Sequence, residues 1–306
     1  MMMADNKVDN VAKGAIEHLL SRTDKDDDKI RPKFLRGLLL EPAEMIDDQY
    51  HHAGISIHQN NASNMALHQQ LRGLPKHPLY KEISRRLQII QQYIGQSNDD
   101  YVEETLPCFL PASHFDLAET CPLNDLIPTQ SLTYINVESC TRWLQNAGED
   151  GVYAILGCRR TIGTIQLSTT SSSYLFPPTI SQLLNSSRKL HKPQTKSSLT
   201  VAARALAKHC HRGTDQFFGM LKGNEAQKNE HANQIIQRLI DEALWMNIHC
   251  FGGVDESNPV IEIRTFEGYG ARWSGIWDDI FSPRDVEFRG FLEPQMEDGH
   301  EKRWRH

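Results

Sequence analysis

A chain of 306 residues with 39% hydrophobic side chains can bury one large core or two modest ones, which excludes global disorder. No apolar run approaches the roughly 20 residues needed to span a bilayer, and the first thirty residues contain no signal-like apolar stretch; the chain reads as neither membrane-bound nor secreted, hence intracellular, with the cytoplasm expected and organelles left open. The formal charge of −6 conceals a segregation: from Gly151 to Thr214 there is no Asp or Glu, while nine Lys and Arg side chains lie between Arg159 and Arg212, a block suited to phosphate, carboxylate or nucleic acid, or to the protein's own acidic part.

In chain order, Val11, Ile16, Leu19 and Leu20 lie near helical spacing within Asp9–Ser21, and the charge run Asp24–Lys29 follows as a solvated linker. Lys33–Ile46 is a second apolar stretch interrupted by Gly37 and Pro42. The His-, Gln- and Asn-rich segment from Gln49 to Asn64 has no periodicity and reads as a loop. Leu79–Ile94 is a firmer helix, with Ile83, Leu87, Ile90 and Ile94 at three- and four-residue intervals and Gly95 as its stop. Four prolines make Leu106–Pro128 an irregular connector.

Beyond it the pattern turns to strands and helices in alternation. Leu132–Asn136 reads as a strand, Val137–Ala147 as a helix, and Val152–Leu156 with Thr161–Leu167 as two strands joined by a hairpin at Gly157–Arg160. The Ser/Thr/Pro-rich section Ser168–Ser198 leaves room for a short helix near Ile180–Leu184. Leu199–Arg212 is a helix with Ser198 as N-cap, and Asn224 with Gln227 forms a capping box for a helix whose stripe is Ile235, Ile236, Leu239, Ile240 and Ala243. Pro259–Phe266 and Val286–Leu292 are strands. The whole predicts an α+β fold, a mostly antiparallel sheet packed with helices and preceded by a helical N-terminal region. It divides into a flexible extension (1–30), a mainly helical region with the proline-rich connector (31–128) and an α+β domain (129–306).

Candidate chemistry lies toward the C-terminus. Arg204, Lys208 and His211 share one helical face, opposite Leu199, Ala202, Ala203, Leu206 and Cys210; the face is either an anion site or an ordinary solvated side. In Val260–Phe266, alternation sets Ile261 and Ile263 on one face and Glu262 with Arg264 on the other, as ligand-orienting groups or as a structural ion pair. Gly268-Tyr269-Gly270-Ala271-Arg272 can bring backbone amides and Arg272 to an anion, although neither a phosphate loop nor a dinucleotide fingerprint is completed. His300 beside Asp298 is a candidate proton carrier if the tail docks. His209 and His211 diverge on a helix, and without CxxC or HExxH no metal ligands are assigned. Six cysteines without a CxxC pair read as reduced thiols.

The strings GYGARW, FRGFLEP and EDGHEKRWRH, with ARALAKHCHR upstream, resemble proteins of plants and other eukaryotes to which no activity is assigned. The resemblance covers about the last hundred residues; it implies that they form a unit and transfers no function. Three readings follow. In the first, a pocket binds, with or without turnover, a small anionic metabolite: Arg204, Lys208 and Arg272 neutralise charge, His211 adds a substrate-binding group on the same helical face, Arg264 orients, and Glu262 or His300 moves a proton. In the second, the acid-free block binds RNA or joins a ribonucleoprotein, though no nucleic-acid motif supports it. In the third, the chain is a scaffold without chemistry. Whether it is an enzyme, which cofactor it takes and its oligomeric state stay open.

Overall fold

In the computed structural model, residues 10–22, 30–41, 70–96, 135–161, 174–210, 217–250 and 258–294 are described. The first apolar periodicity produces α1 (Val11–Arg22), whose Val11, Ala12, Ala15, Ile16 and Leu19 recur on one buried face. This helix lies within the segment read as an extension, yet it packs on α3 (Leu79–Gln96) and α4 (Val137–Ile155) in the N-terminal core. Between them α2 (Pro32–Leu38) starts on a proline, whose fixed φ suits the first helical turn, and buries Phe34, Leu35 and Leu38. The packing crosses residue 128: Phe34, Ile83, Trp143, Tyr153 and Phe176 share one cluster.

Two expectations are corrected in α4. Asn136 caps it through a reciprocal box with Ser139 rather than ending a strand, and the chain then continues helically through a bend at Gly148 (φ 66°) as far as Ile155. Val152–Leu156 is therefore the end of a helix and not a strand. A short apolar run carries no period of its own, and here Val152, Tyr153, Ile155 and Leu156 all point into the core. Likewise Gly95, expected as a stop, lies inside α3. A buried ion triad braces the bundle. Arg85 Nη2 and Arg86 Nε lie 2.7 and 2.6 Å from Glu82 Oε1, and Arg86 also donates to the carbonyls of Ile155 and Gly73. Burial alone raises the Glu82 pKa, but the two guanidiniums outweigh it and bring it to about 2.

The second half forms a five-stranded sheet in the order β1-β2-β3-β4-β5. The expected hairpin at Gly157–Arg160 is replaced by β1 (Cys158–Arg159), which pairs parallel to β2 (Ala243–His249) with Cys158 opposite Met246. The other pairings, β2 with β3 (Val260–Thr265), β3 with β4 (Gly270–Trp277) and β4 with β5 (Pro283–Leu292), are antiparallel. The fold is thus α+β with a mostly antiparallel sheet. Register sorts its two faces. Ile248, Ile261, Trp273 and Phe288 align across the strands, as do Met246, Ile263, Ala271 and Phe291, and all eight lie in the second core cluster.

Against this apolar face pack α5 (Ile180–Arg188), α6 (Val201–His209) and α7 (Glu225–Asp241). The α7 capping box of Asn224 and Gln227 forms as expected. In α6 the N-cap is Thr200 rather than Ser198. Trp273 Nε1 donates to the Leu183 carbonyl, so the largest core side chain of β4 also satisfies its polar atom. Cys140, Cys158 and Cys210 are free thiols, and burial pushes Cys140 and Cys158 up to about 12. No helix among the described residues is long and apolar enough to cross a membrane.

Candidate functional site

Alternation along the strands places the polar residues on the sheet face turned away from α5–α7. Asn247 and Arg272 are both register partners of Glu262, and Arg264 stands two residues along β3 from Glu262, on the same side. The Glu262 carboxylate is the hub. Its Oε1 accepts from Arg264 Nε at 2.8 Å and its Oε2 from Arg272 Nη2 at 2.7 Å, while His249 Nε2 lies 3.8 Å from Oε2. Burial raises the Glu262 pKa, but the His249 imidazole and the charges of Arg264 and Arg272 together override it and hold the carboxyl well below the usual range.

That geometry assigns the members different capacities. A carboxylate held so low is a weak proton acceptor at neutral pH, and its two oxygens are already engaged, so Glu262 acts on its neighbours by fixing them. Arg264 also donates from Nη1 to the carbonyls of Gly268 and Glu293, both at 2.7 Å. It is 5% exposed and ties the β3–β4 turn to the end of β5. Arg272 is 25% exposed. Its register partner on β5 is Gly290, with φ 150° and, among the described residues, no atom within 4 Å of where a Cβ would stand. At the far side of the same face Arg159 stacks 5.0 Å over the Trp245 ring.

The predicted site residues divide. Glu262, Arg264 and Arg272 come together as one network. Arg204 and Lys208 do not join them: both are exposed on α6, whose opposite side buries Ala202, Ala203 and Leu206 against the apolar face. The common hollow expected between the basic helix and the Glu262 strand is not formed, because the helix and the carboxylate occupy opposite faces of the sheet. His211 and His300 lie outside the described residues.

Two imidazoles were overlooked as partners. His249 follows Asn247 by two positions in β2, a strand that sequence reading did not identify. His209 lies three residues after Leu206 on the inner side of α6, where Nδ1 meets Glu293 Oε1 at 2.9 Å between the rings of Phe218 and Phe291. The signal for His209 was its helical spacing from the apolar residues of α6. Glu293 carried none, since its contact depends on how β5 ends. Among the described residues no group of three His, Cys, Asp or Glu side chains is arranged to hold a metal ion.

A second polar region lies on α6 and on the segment that joins it to α5. Arg188, Lys189, His191, Lys192, Lys196, Arg204 and Lys208 are all exposed, and only Lys189 among these forms an ion pair with a described carboxylate, at 3.4 Å from Asp285. The segment between α5 and α6 is closed at its base by the Leu190–Thr200 bridge. It is pinned to α7 where Ser198 donates its backbone N–H to Glu225 and Thr200 donates to Asn229.

The module running from the end of α5 to the end of β5 is thus an α+β unit with exposed cations on α6 and the segment before it, and an Arg264–Glu262–Arg272 network on its polar sheet face. Residues 188–293, about a third of the chain, match the family model described as the CdiA C-terminal tRNase toxin domain. No curated protein and no solved structure matches the chain. The family match corrects two expectations. The C-terminal region is similar to this toxin domain and not to the plant and eukaryotic proteins suggested by its short strings, which are too brief to set a family against the pattern of a hundred residues. It also overturns the small anionic metabolite as the leading reading and favours the RNA alternative.

Proposed function

We propose that the 188–293 unit cleaves RNA, with tRNA as the substrate class. The observation that carries this reading is the coincidence of extent: the matched residues begin at Arg188, the last residue of α5, and end one residue after β5. The similarity therefore spans α6, α7 and β2–β5 with the polar sheet face, and not an isolated string, while β1 and all but the last residue of α5 lie outside it. The acid-free block supports the same reading, because phosphate contacts by Lys and Arg supply most sequence-independent affinity for nucleic acid.

On the polar face we assign Arg272 to the scissile phosphate, where a guanidinium can neutralise the charge that builds on the non-bridging oxygens. His249 is the proton acceptor. RNA carries its own nucleophile in the 2′-hydroxyl: the 2′-oxygen bonds to phosphorus, its proton passes to His249, and the bond to the 5′-oxygen breaks with that oxygen protonated from water. Glu262 and Arg264 are positioning residues that hold Arg272 and the imidazole against the sheet. The test is incubation of the purified chain with tRNA and with single-stranded DNA, resolved on a denaturing gel with end-group analysis. Discrete RNA fragments ending in a 2′,3′-cyclic phosphate, with DNA intact, are expected; intact tRNA, or equal cutting of DNA, refutes the proposal.

A further inference from the structure

We infer that the exposed cations of the α5–α6 segment and of α6 form an RNA-docking exosite, separate from the chemistry of the sheet face. The inference rests on the RNA-cleaving reading and extends it by saying how the substrate is held and how large it must be. Three observations lead to it. First, Arg188, Lys192, Lys196, Arg204 and Lys208 are exposed and make no ion pair with a described carboxylate, so their charge is available to a partner. Second, the segment carrying them is built rather than loose. The Leu190–Thr200 bridge closes it, Val201 N–H bonds to the Lys189 carbonyl, and Asn229 Nδ2 returns a bond to the Ser198 carbonyl at 2.8 Å. Ordering side chains on a fixed frame lowers the entropy lost on binding. Third, Arg204 and Lys208 are four residues apart, about 6 Å along the axis, on the side of α6 opposite Ala202, Ala203 and Leu206.

The position of this surface sets the substrate's size. A helix is about 10 Å across, and α6 stands between the Arg204 and Lys208 part of the exosite and a sheet whose other face holds Arg272 and His249. A mononucleotide or a short oligonucleotide cannot touch both. A folded RNA of tRNA dimensions can wrap from one side to the other, with backbone phosphates on the exosite and a single linkage at the sheet face. Membrane surfaces also carry phosphate charge, but a lipid layer is flat and offers nothing to reach around the module, so RNA is the partner this geometry fits.

The test measures binding apart from cutting, in full-length protein carrying His249→Ala. Fluorescently labelled tRNA is titrated across salt concentrations against this protein and against the same protein with Lys192→Gln, Lys196→Gln, Arg204→Gln and Lys208→Gln. The exosite predicts a loss of tRNA affinity of at least about tenfold at 0.1 M salt and a slope of log K against log salt shallower by about 3, since each lost phosphate contact removes roughly 0.7–0.9. A companion with Lys192→Arg, Lys196→Arg and Lys208→Arg keeps both values, which separates lost charge from disturbed folding. Unchanged affinity and slope in the Gln protein overturn the exosite, as does equal weakening in the Arg protein. So does binding to phosphatidylserine vesicles with none to tRNA. Tight, surface-dependent tRNA binding by a wild-type chain that leaves tRNA uncut refutes the cleavage proposal while the exosite stands. Cleavage by a chain whose binding ignores the four cations does the reverse.

Discussion

Replacing Glu262 with glutamine keeps the shape of the side chain and removes the charge that two guanidiniums share. Arg264, at 5% exposed, keeps the carbonyls of Gly268 and Glu293 but loses its only described anionic partner. Arg272, at 25%, can recover some hydration. Removing one partner of a buried ion pair typically costs about 3–5 kcal/mol, and the partial exposure of Arg272 puts this case near the low end, about 3 kcal/mol. At roughly 2–4 °C per kcal/mol for domains of 150–250 residues, Tm should fall by about 6–12 °C, read by circular dichroism at pH 7.

The pH dependence gives a second readout. Because the folded-state pKa of Glu262 is depressed, its contribution is fully present above the unfolded value of 4.5 and declines as pH falls below that toward the folded value. The gap in Tm between wild type and Glu262→Gln should therefore be widest at neutral pH and narrow as the pH drops through the acid range. A Tm change under 1 °C at pH 7, or a gap that does not vary with pH, refutes the view of Glu262 as the electrostatic anchor of this face.

Glu82→Gln tests the equivalent device in the helical bundle. With its carboxyl held at about 2 against an ordinary 4.5, wild type should carry an advantage on the order of 3 kcal/mol above pH 4.5 that is lost between pH 4.5 and 2; urea titrations at pH 7 and pH 3 measure it, and equal midpoint differences at both contradict it. Gly270→Ala should destabilise by more than about 2 kcal/mol in the same urea assay, because the added Cβ runs into the Ile263 carbonyl oxygen of the neighbouring strand. A stability within about 0.5 kcal/mol of wild type would show that β3 and β4 are not packed this closely.

What the sequence disclosed follows from which signals are local. Capping chemistry is local, so Asn224 with Gln227 was legible. Helical period over four turns is nearly as secure, as in α3 and α7. Strands fared worse where their pattern was interrupted. In β4 the inward positions are Ala271, Trp273 and Gly275, and Gly275 is small because the Trp277 ring lies where its Cβ would project, so no regular apolar alternation announces the strand. In β2 the run Ala243–His249 follows α7 after a single residue, and Ala243 was absorbed into the helix stripe although it pairs with Thr265.

The candidate site was half legible for the same reason. Glu262 and Arg264 are neighbours on one strand face by simple alternation, and Arg272 follows from a short turn. Joining Arg204 and Lys208 to them required knowing on which side of the sheet α6 packs, and only the register of Ile263 with Ala271 and Met246, against the buried side of α6, decides that. His249 became visible as a partner only with the register of β2, and His209 with Glu293 only through a contact across 84 residues.

Whether the polar sheet face cuts RNA is decided by single-turnover cleavage of end-labelled tRNA with saturating protein, comparing wild type with Arg272→Ala and His249→Ala at matched thermal stability. Wild type should cut, with rates lower by about 10²–10⁴ in each variant, the range that positioned proton transfer and charge stabilisation supply. Wild-type protein that leaves tRNA whole, or variants that cut as fast as wild type, would contradict cleavage at this face.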